Sequence, residues 1–237
     1  SSDVCSSDLN PFNYALNTSR ALRAYDSNGE REYYTLNFAP FNILEELDNN
    51  YIKLNVIDLK AQAEFNWQIF KGLKYNFTGA IRYVRSKQEH EIHENSNMAN
   101  AYRAAGNSTI RENNPYLYKD PSDPSAEPIV VLSKGGFYNT AENLLLNYDI
   151  RNSVSFSKIW NEKHEFNALL GQQIKYSDRQ TNSNTGYGFQ YDMGGTVSMN
   201  YLIMKQMIEQ NFDYYSRALT YDRFAAFYAN VDYTYDR

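Results

Sequence analysis

The sequence predicts an all-β fold: a fragment of an antiparallel transmembrane β-barrel, with long strands joined by short periplasmic turns and long extracellular loops. Three observations predict it. Apolar and polar residues alternate strictly over unusually long runs, the connections alternate short and long, and aromatic residues gather near the short-turn ends of the strands.

Taken in chain order, the first nine residues carry no fold information. Ser1 to Leu9 contains Ser-Ser-Asp twice and resembles the translation of a sequencing adapter, so it is set aside as non-native, together with Cys5. It also lacks the apolar core of a signal peptide, and no export signal is expected in this chain. Asn42-Ile43-Leu44-Glu45 has capping-box spacing and predicts a helical turn through Leu47 at the rim above the first strand. From Ile57 to Ile69 the residues Ile57, Leu59, Ala61, Ala63, Phe65, Trp67 and Ile69 alternate with polar neighbours without a break, which is the pattern of one two-faced strand. Phe70-Lys71-Gly72-Leu73 turns tightly, and Leu73, Tyr75, Phe77, Gly79, Ile81 and Tyr83 continue the apolar face in a return strand. The first hairpin is thus placed at 54–86.

A second hairpin, at 143–177, follows the same plan. Leu144, Leu146, Tyr148, Ile150, Val154 and Phe156 lead to a turn at Trp160–His164, and Phe166, Ala168, Leu170, Ile174 and Tyr176 return, with Gln172 breaking the apolar face. Ala225, Phe227, Ala229, Val231, Tyr233 and Tyr235 begin a third hairpin, from 222, which the sequence leaves unfinished. The intervening stretches, 86–143 and 177–221, are rich in Asn, Ser, Tyr, Gly and Pro and read as long loops. Within the second, Met199, Leu202, Ile203 and Met207 have helical spacing and predict a short packed helix.

Long loops on one side only are uncommon in compact soluble domains and usual in outer-membrane barrels. Strand length agrees: at about 3.3 Å per residue and a tilt near 40°, residues 57–69 climb about 30 Å, enough for an apolar band of about 25 Å. Phe65, Trp67, Tyr75, Phe77, Phe156, Trp160, Phe166, Tyr233 and Tyr235 cluster near the turns, as rings do at a membrane interface. The competing reading is a soluble β-sandwich with these rings in its core.

Composition removes other classes. The 22 Tyr and 13 Phe argue against disorder, and no apolar stretch approaches the roughly 18 residues of a spanning helix. A net charge of −5 without long single-sign runs gives no footprint for nucleic acid. The single cysteine excludes an intramolecular disulfide framework.

No motif predicts catalysis or a cofactor. His90 and His93 in Glu89-His90-Glu91-Ile92-His93-Glu94 are three apart, which suits neither the four-residue helical spacing of a zinc pair nor one face of a strand, so no metal site is expected. Gly186-Tyr187-Gly188 and Gly194-Gly195 fit no phosphate-loop spacing. The candidate ligand surface is the loops, where Tyr102, Arg103, Tyr116, Tyr118, Tyr138 and Asn139 combine flat rings with hydrogen-bonding groups suited to sugars or peptide backbones. Packing of the loops upon themselves is the competing role for each. Deleting 113–135 is expected to impair uptake and to leave the barrel folded and inserted, since loop changes are tolerated better than strand changes.

Several segments together resemble the SusC/RagA-like TonB-dependent outer-membrane transporters. These are Asn10-Pro11-Phe12, the loop at Arg23-Ala24-Tyr25-Asp26, Asn42 to Asn50, Ile69 to Tyr75, Lys163 to Gly171, and Phe224 to Arg237. The order of these moderately specific segments carries the resemblance more than any one of them. It implies a 22-stranded barrel with a plug and TonB box, a SusD-like surface lipoprotein as lid, TonB as energy-coupling partner, and import of an oligosaccharide or peptide across outer-membrane lipid. Plug and TonB box have no counterpart in this sequence, which the resemblance places in the middle of the barrel. The alternative is a secreted or cell-surface β-rich ligand-binding module.

Overall fold

The computed structural model describes residues 11–19, 21–123 and 125–236; the run 1–9 and Cys5 lie outside the described residues. The chain forms α1 (Pro11–Asn17), β1 (Tyr34–Leu36), β2 (Ala39–Phe41), α2 (Ile43–Asn49), β3 (Asn50–Phe70) and β4 (Leu73–Ile92). It continues through α3 (Asn97–Ala101), α4 (Ser108–Asn113), β5 (Gly136–Trp160) and β6 (His164–Gln190). A 3-10 turn (Tyr191–Met193), β7 (Thr196–Val197), α5 (Tyr201–Glu209) and β8 (Tyr215–Tyr235) complete it. The fold is mostly β, with long antiparallel strands in one sheet ordered β3-β4-β5-β6-β7, and β8 also pairs β6. The sheet is open among the described residues.

The long strands run 20 to 27 residues, against a mean of about 5–6 in globular proteins. They outrun the expected hairpins. β4 continues to Ile92, β5 starts at Gly136, β6 reaches Gln190 and β8 starts at Tyr215, so the long connections shrink to 93–135 and 191–214. The extensions are polar on both sides (Gln88-Glu89-His90-Glu91; Ser177 to Asn184), so backbone pairing continues where the period-two apolar signal stops.

Contacts within the chain divide it into two units. The strand unit comprises Asn55–Lys87, Glu142–Asn182 and the chain from Arg217. It is a single layer. None of the fully buried hydrophobic side chains among the described residues belongs to it, whereas Leu59, Leu170 and Phe227 are 62%, 62% and 76% exposed. Its two faces differ in chemistry. On one, Tyr75 donates to Asn152 at 2.7 Å, Tyr148 stacks on Tyr176 at 4.6 Å, and Phe156 meets Phe166. These residues share the period-two parity of Leu59, Phe65, Trp67, Leu170 and Phe227. On the other face, Arg82 holds Asp58 with two bonds of 2.9 and 2.6 Å, Gln173 donates to Asp149 at 3.0 Å, and Lys175 lies over Phe224. Alternation in sequence has become segregation in space.

The turns are short as expected. Gly72 adopts φ +98°, and a Cβ there would meet the Ser157 carbonyl oxygen at 2.4 Å, so only glycine lets the turn accept the Ser157 amide at 2.8 Å. Asn161 and Glu162, both at positive φ, make the second turn.

The connection unit comprises the chain up to Leu54, Gln88–Ala141 and Ser183–Ser216. It has its own core: Ile92, Ala99, Tyr102, Tyr118, Val131, Leu132, Phe137, Tyr187, Ile203 and Met207, with Met98, Tyr116 and Leu202 packed against it. The helix expected from Met199, Leu202, Ile203 and Met207 is α5, which buries Ile203 and Met207. The helix expected at Asn42 is α2. Asn42 caps it by accepting from the amides of Leu44 and Glu45, and it runs to Asn49, two residues further than expected. Glu45 does not complete the box; its carboxylate pairs with Arg31. β1 and β2 form a hairpin in register Tyr34↔Phe41 and Leu36↔Ala39, closed by Asn37 and Phe38, both at positive φ as a two-residue turn of this hand requires.

Candidate functional site

The connection unit carries the residues singled out as a ligand surface, and it uses them in different ways. Ser96 caps α3 by accepting from the Ala99 amide at 3.1 Å, which sets Tyr102 at the helix end. The Tyr102 ring stacks on Tyr116 at 4.9 Å and meets Phe137 edge-on at 5.0 Å. Tyr102 and Tyr118 are buried at 9% and 2% exposure, and their faces are occupied by packing. Tyr116 is half-buried, its backbone fixed by Asn114, whose side-chain amide also donates to the carbonyls of Ala101 and Ala104 at 2.8 and 2.9 Å.

Arg103 is half-buried and ties two segments together. Its guanidinium donates to the Glu94 carbonyl at 2.8 Å and to the Gly135 carbonyl. Burial lowers its pKa, and the nearby Glu94 carboxylate works against that shift. Tyr138 hydrogen-bonds Glu89 and stacks on Phe189 at 4.9 Å. Asn139, on β5, has its side-chain oxygen enclosed with no hydrogen-bond partner among the described residues. The structure therefore groups Tyr102, Tyr116 and Tyr118 in one packed cluster. Arg103 serves as a brace, and Tyr138 and Asn139 lie on the strand that leaves the cluster.

The stretch 113–135 is correspondingly no free loop. Leu117, Tyr118, Val131 and Leu132 are all at 2% exposure or less, and Tyr118 and Ile129 exchange backbone hydrogen bonds of 2.9 Å. Its deletion would remove Tyr118, Val131 and Leu132 from the core of the connection unit. The turn-rich composition of Asn113 to Asp123 hid the buried residues at each end.

A second cluster is missed by motif reading. Glu91 accepts from Tyr51 Oη and Lys53 Nζ, both at 2.8 Å. Tyr51 also lies 3.2 Å from His93 Nε2, and the His93 ring stacks on Tyr191 at 3.9 Å and 8°. Burial pushes Glu91 up, but the bonds from Lys53 and Tyr51 outweigh it and leave the carboxyl below its usual range. Burial raises Tyr191, with the Glu91 charge adding to the effect. His90 is buried and bonds Asn50 at 2.6 Å. The charged run 89–94 was the signal for this cluster; its aromatic partners come from 40 and 100 residues away.

Two clefts open in the connection unit. One, of about 220 Å³, is lined by Tyr33, Asn42, Glu45, Glu46, Asn97 and Asn100 among others. The other, of about 310 Å³, lies between the turn at Pro115, Leu117 and Pro121 and the α5 residues Gln206 and Glu209. Gln206 is 8% exposed, and its side-chain oxygen has no partner among the described residues. Such clefts offer carboxylate and amide groups to hydroxyls or peptide N–H groups. Among the described residues, no three His, Cys, Asp or Glu side chains come together as a metal site would need.

No helix among the described residues is long and apolar enough to cross a membrane. No protein-family model matches the chain, and no curated protein matches it. Solved structures do. The RagAB peptide importer in its closed-closed state aligns over 90% of this chain with a TM-score of 0.57 at 12% identity. The RagAB peptide transporter and the importer in its open-open state align over the same share, each with a TM-score of 0.56 at 11% identity. The chain spans 20% of those chains' length. At such identity the shared property is the fold: this chain folds like a segment of a much larger transporter chain.

Proposed function

We propose that this chain forms part of the wall and the outer connections of a SusC/RagA-like TonB-dependent transporter in a bacterial outer membrane, which imports a bulky nutrient, an oligosaccharide or a peptide. One observation carries the reading: the strand unit has an apolar face and a polar face and buries neither. A two-faced sheet in water covers its apolar side with a second layer. In a barrel wall the apolar side meets lipid and the polar side the lumen. The likeness to the RagAB chains supports the same reading at the level of fold.

On this reading the short turns at Gly72 and Asn161 face the periplasm, and the long connections 93–135 and 191–214, at the other ends of the strands, face outward. There the two clefts, Tyr138 and Asn139 are placed to meet ligand, with Tyr102, Arg103, Tyr116 and Tyr118 holding that surface in shape. A SusD-like lipoprotein would close over it from outside, and TonB would act on a plug elsewhere in the transporter. No cofactor or catalytic step enters.

The test is a spin-label scan of the full-length protein in lipid, one cysteine at a time from 57 to 69. The expected result is oxygen accessibility that alternates with period two, high at odd positions and low at even ones. Flat water accessibility would overturn the membrane reading and favour a secreted binding module. Uptake of labelled oligosaccharides and oligopeptides by cells with and without the protein then separates the two substrate classes.

A further inference from the structure

On the apolar face of the strand unit, Arg223 is a cation that no carboxylate neutralises among the described residues. Arg223, on β8, has the parity of Phe227 and Val231, and its guanidinium carbon lies 3.8 Å from the centroid of the Tyr176 ring. Tyr148 stacks on the other side of Tyr176 at 4.6 Å and 3°, nearly parallel, and Tyr221 lies 5.3 Å from the same guanidinium. Among the described residues no carboxylate lies within ion-pair distance of Arg223. The other strand-unit arginines that carry ion pairs, Arg82, Arg85 and Arg151, each have a carboxylate within 3.3 Å. Asp178 has the parity of Tyr176 and lies two residues beyond it along β6, without bonding the guanidinium.

Height on the sheet gives the stack its meaning. The aromatic residues near the short turns include Tyr75, Phe156, Phe166 and Tyr233. Tyr83, Tyr148, Tyr176 and Arg223 lie about eight to ten residues further along the same four strands and on the same face. At about 3.3 Å per residue and a tilt near 40°, that is about 20–25 Å, the thickness of the apolar band. Arg223 therefore stands at the outer edge of the band, where headgroups begin. A guanidinium over a ring face retains N–H donors at its edge, and its forked donors match phosphate oxygens.

We infer that Arg223, braced by Tyr176 and Tyr148, binds the phosphate of an anionic lipid headgroup in the outer leaflet. This rests on the membrane reading proposed above. The lipid is favoured over free phosphate because the site sits on the lipid-facing side with apolar side chains directly below it, where an acyl chain can lie. Tyr176 and Tyr148 act as positioning residues; Arg223 makes the contact.

The test uses the full-length protein in nanodiscs of phosphatidylcholine containing a minor fraction of phosphatidic acid, with native mass spectrometry to count retained lipid. Wild type is expected to retain phosphatidic acid. Arg223→Gln is expected to lose retention about tenfold, the value of one charge-assisted hydrogen-bonded contact. Tyr176→Leu is expected to fall between the two, because the charge stays but its orientation is lost. Equal retention by wild type and Arg223→Gln would overturn the site, as would displacement of the lipid by inorganic phosphate at matched concentration. The spin-label pattern at 57–69, measured in the same nanodiscs, separates the failures. If it alternates and retention is unchanged, only this site falls; if it does not alternate, the membrane reading falls with it.

Discussion

Asn114 satisfies three backbone groups with one side chain, at a position fully shielded from solvent. Asn114→Ala leaves the Ala104 carbonyl and the Tyr116 amide without these partners and leaves the Ala101 carbonyl only the Ala104 amide, and a loss of about 2–3 kcal/mol is expected. Thermal unfolding, together with faster amide exchange over 98–118, checks this. Glu91 makes a pH-dependent contribution of definite sign. Its folded pKa lies below the ordinary 4.5, so the stabilisation is complete above that value and is lost as pH falls through the lower folded value. Amide protection of 50–54 and 88–92 should therefore drop on acidification from neutral pH to about 3, and in Glu91→Gln that drop should be much smaller. At this scale the sequence is least informative. Tyr102, Tyr118 and Tyr138 look alike in a polar stretch, yet two are core residues and one lies on a strand. What separates them is Val131, Leu132, Ile203 and Met207 arriving from distant segments, a long-range fact that local pattern does not carry.

β6 records both faces of the sheet in successive residues. Leu170 lies on the exposed apolar face, while a Cβ at the neighbouring Gly171 would fall within the ring of Tyr228 on the polar face. Gly171→Leu must therefore displace Tyr228 and is expected to cost about 1–3 kcal/mol. Leu170→Arg acts differently, because it leaves the packing intact and, on the barrel-wall reading, puts a charge near the middle of the apolar band. It is expected to cost about 2–4 kcal/mol in lipid and to change little in the connection unit. Equilibrium folding of the full-length protein into vesicles measures both, and Gln62→Arg on the opposite face should fold like wild type. The strands were legible wherever one face is apolar: from Ile57 to Ile69 and from Phe166 to Tyr176 alternation in sequence marks the two faces of the sheet. They became illegible from Gln88 to Glu91 and from Ser177 to Asn184, where both faces are polar and alternation carries no signal.

At the scale of the whole molecule, β3 and β8 leave one edge each unpaired among the described residues, along strands of 21 residues. Every residue from Lys53 to Phe70 is exposed, so the β3 edge is a row of open donors and acceptors beside an apolar face. Such an edge cannot persist in hydrocarbon, where each unmet backbone group costs several kcal/mol, and in water it templates pairing with other chains. The connection unit has no such liability, because its core of Ile92, Phe137, Leu132 and Ile203 is closed within itself. The two units should therefore behave differently when residues 10–237 are expressed alone. Protection from exchange should persist over 92–137 and 198–210, while 55–87 and 217–235 exchange freely or associate with other copies, as size-exclusion profiles will show. On the barrel-wall reading further strands pair with β3 and β8 in the full-length protein, and the same two segments should then be among the most protected. Equal protection of 55–87 in the isolated chain and in the full-length protein would mean that the sheet is stable with its edges open, and the barrel-wall reading would lose its main physical support.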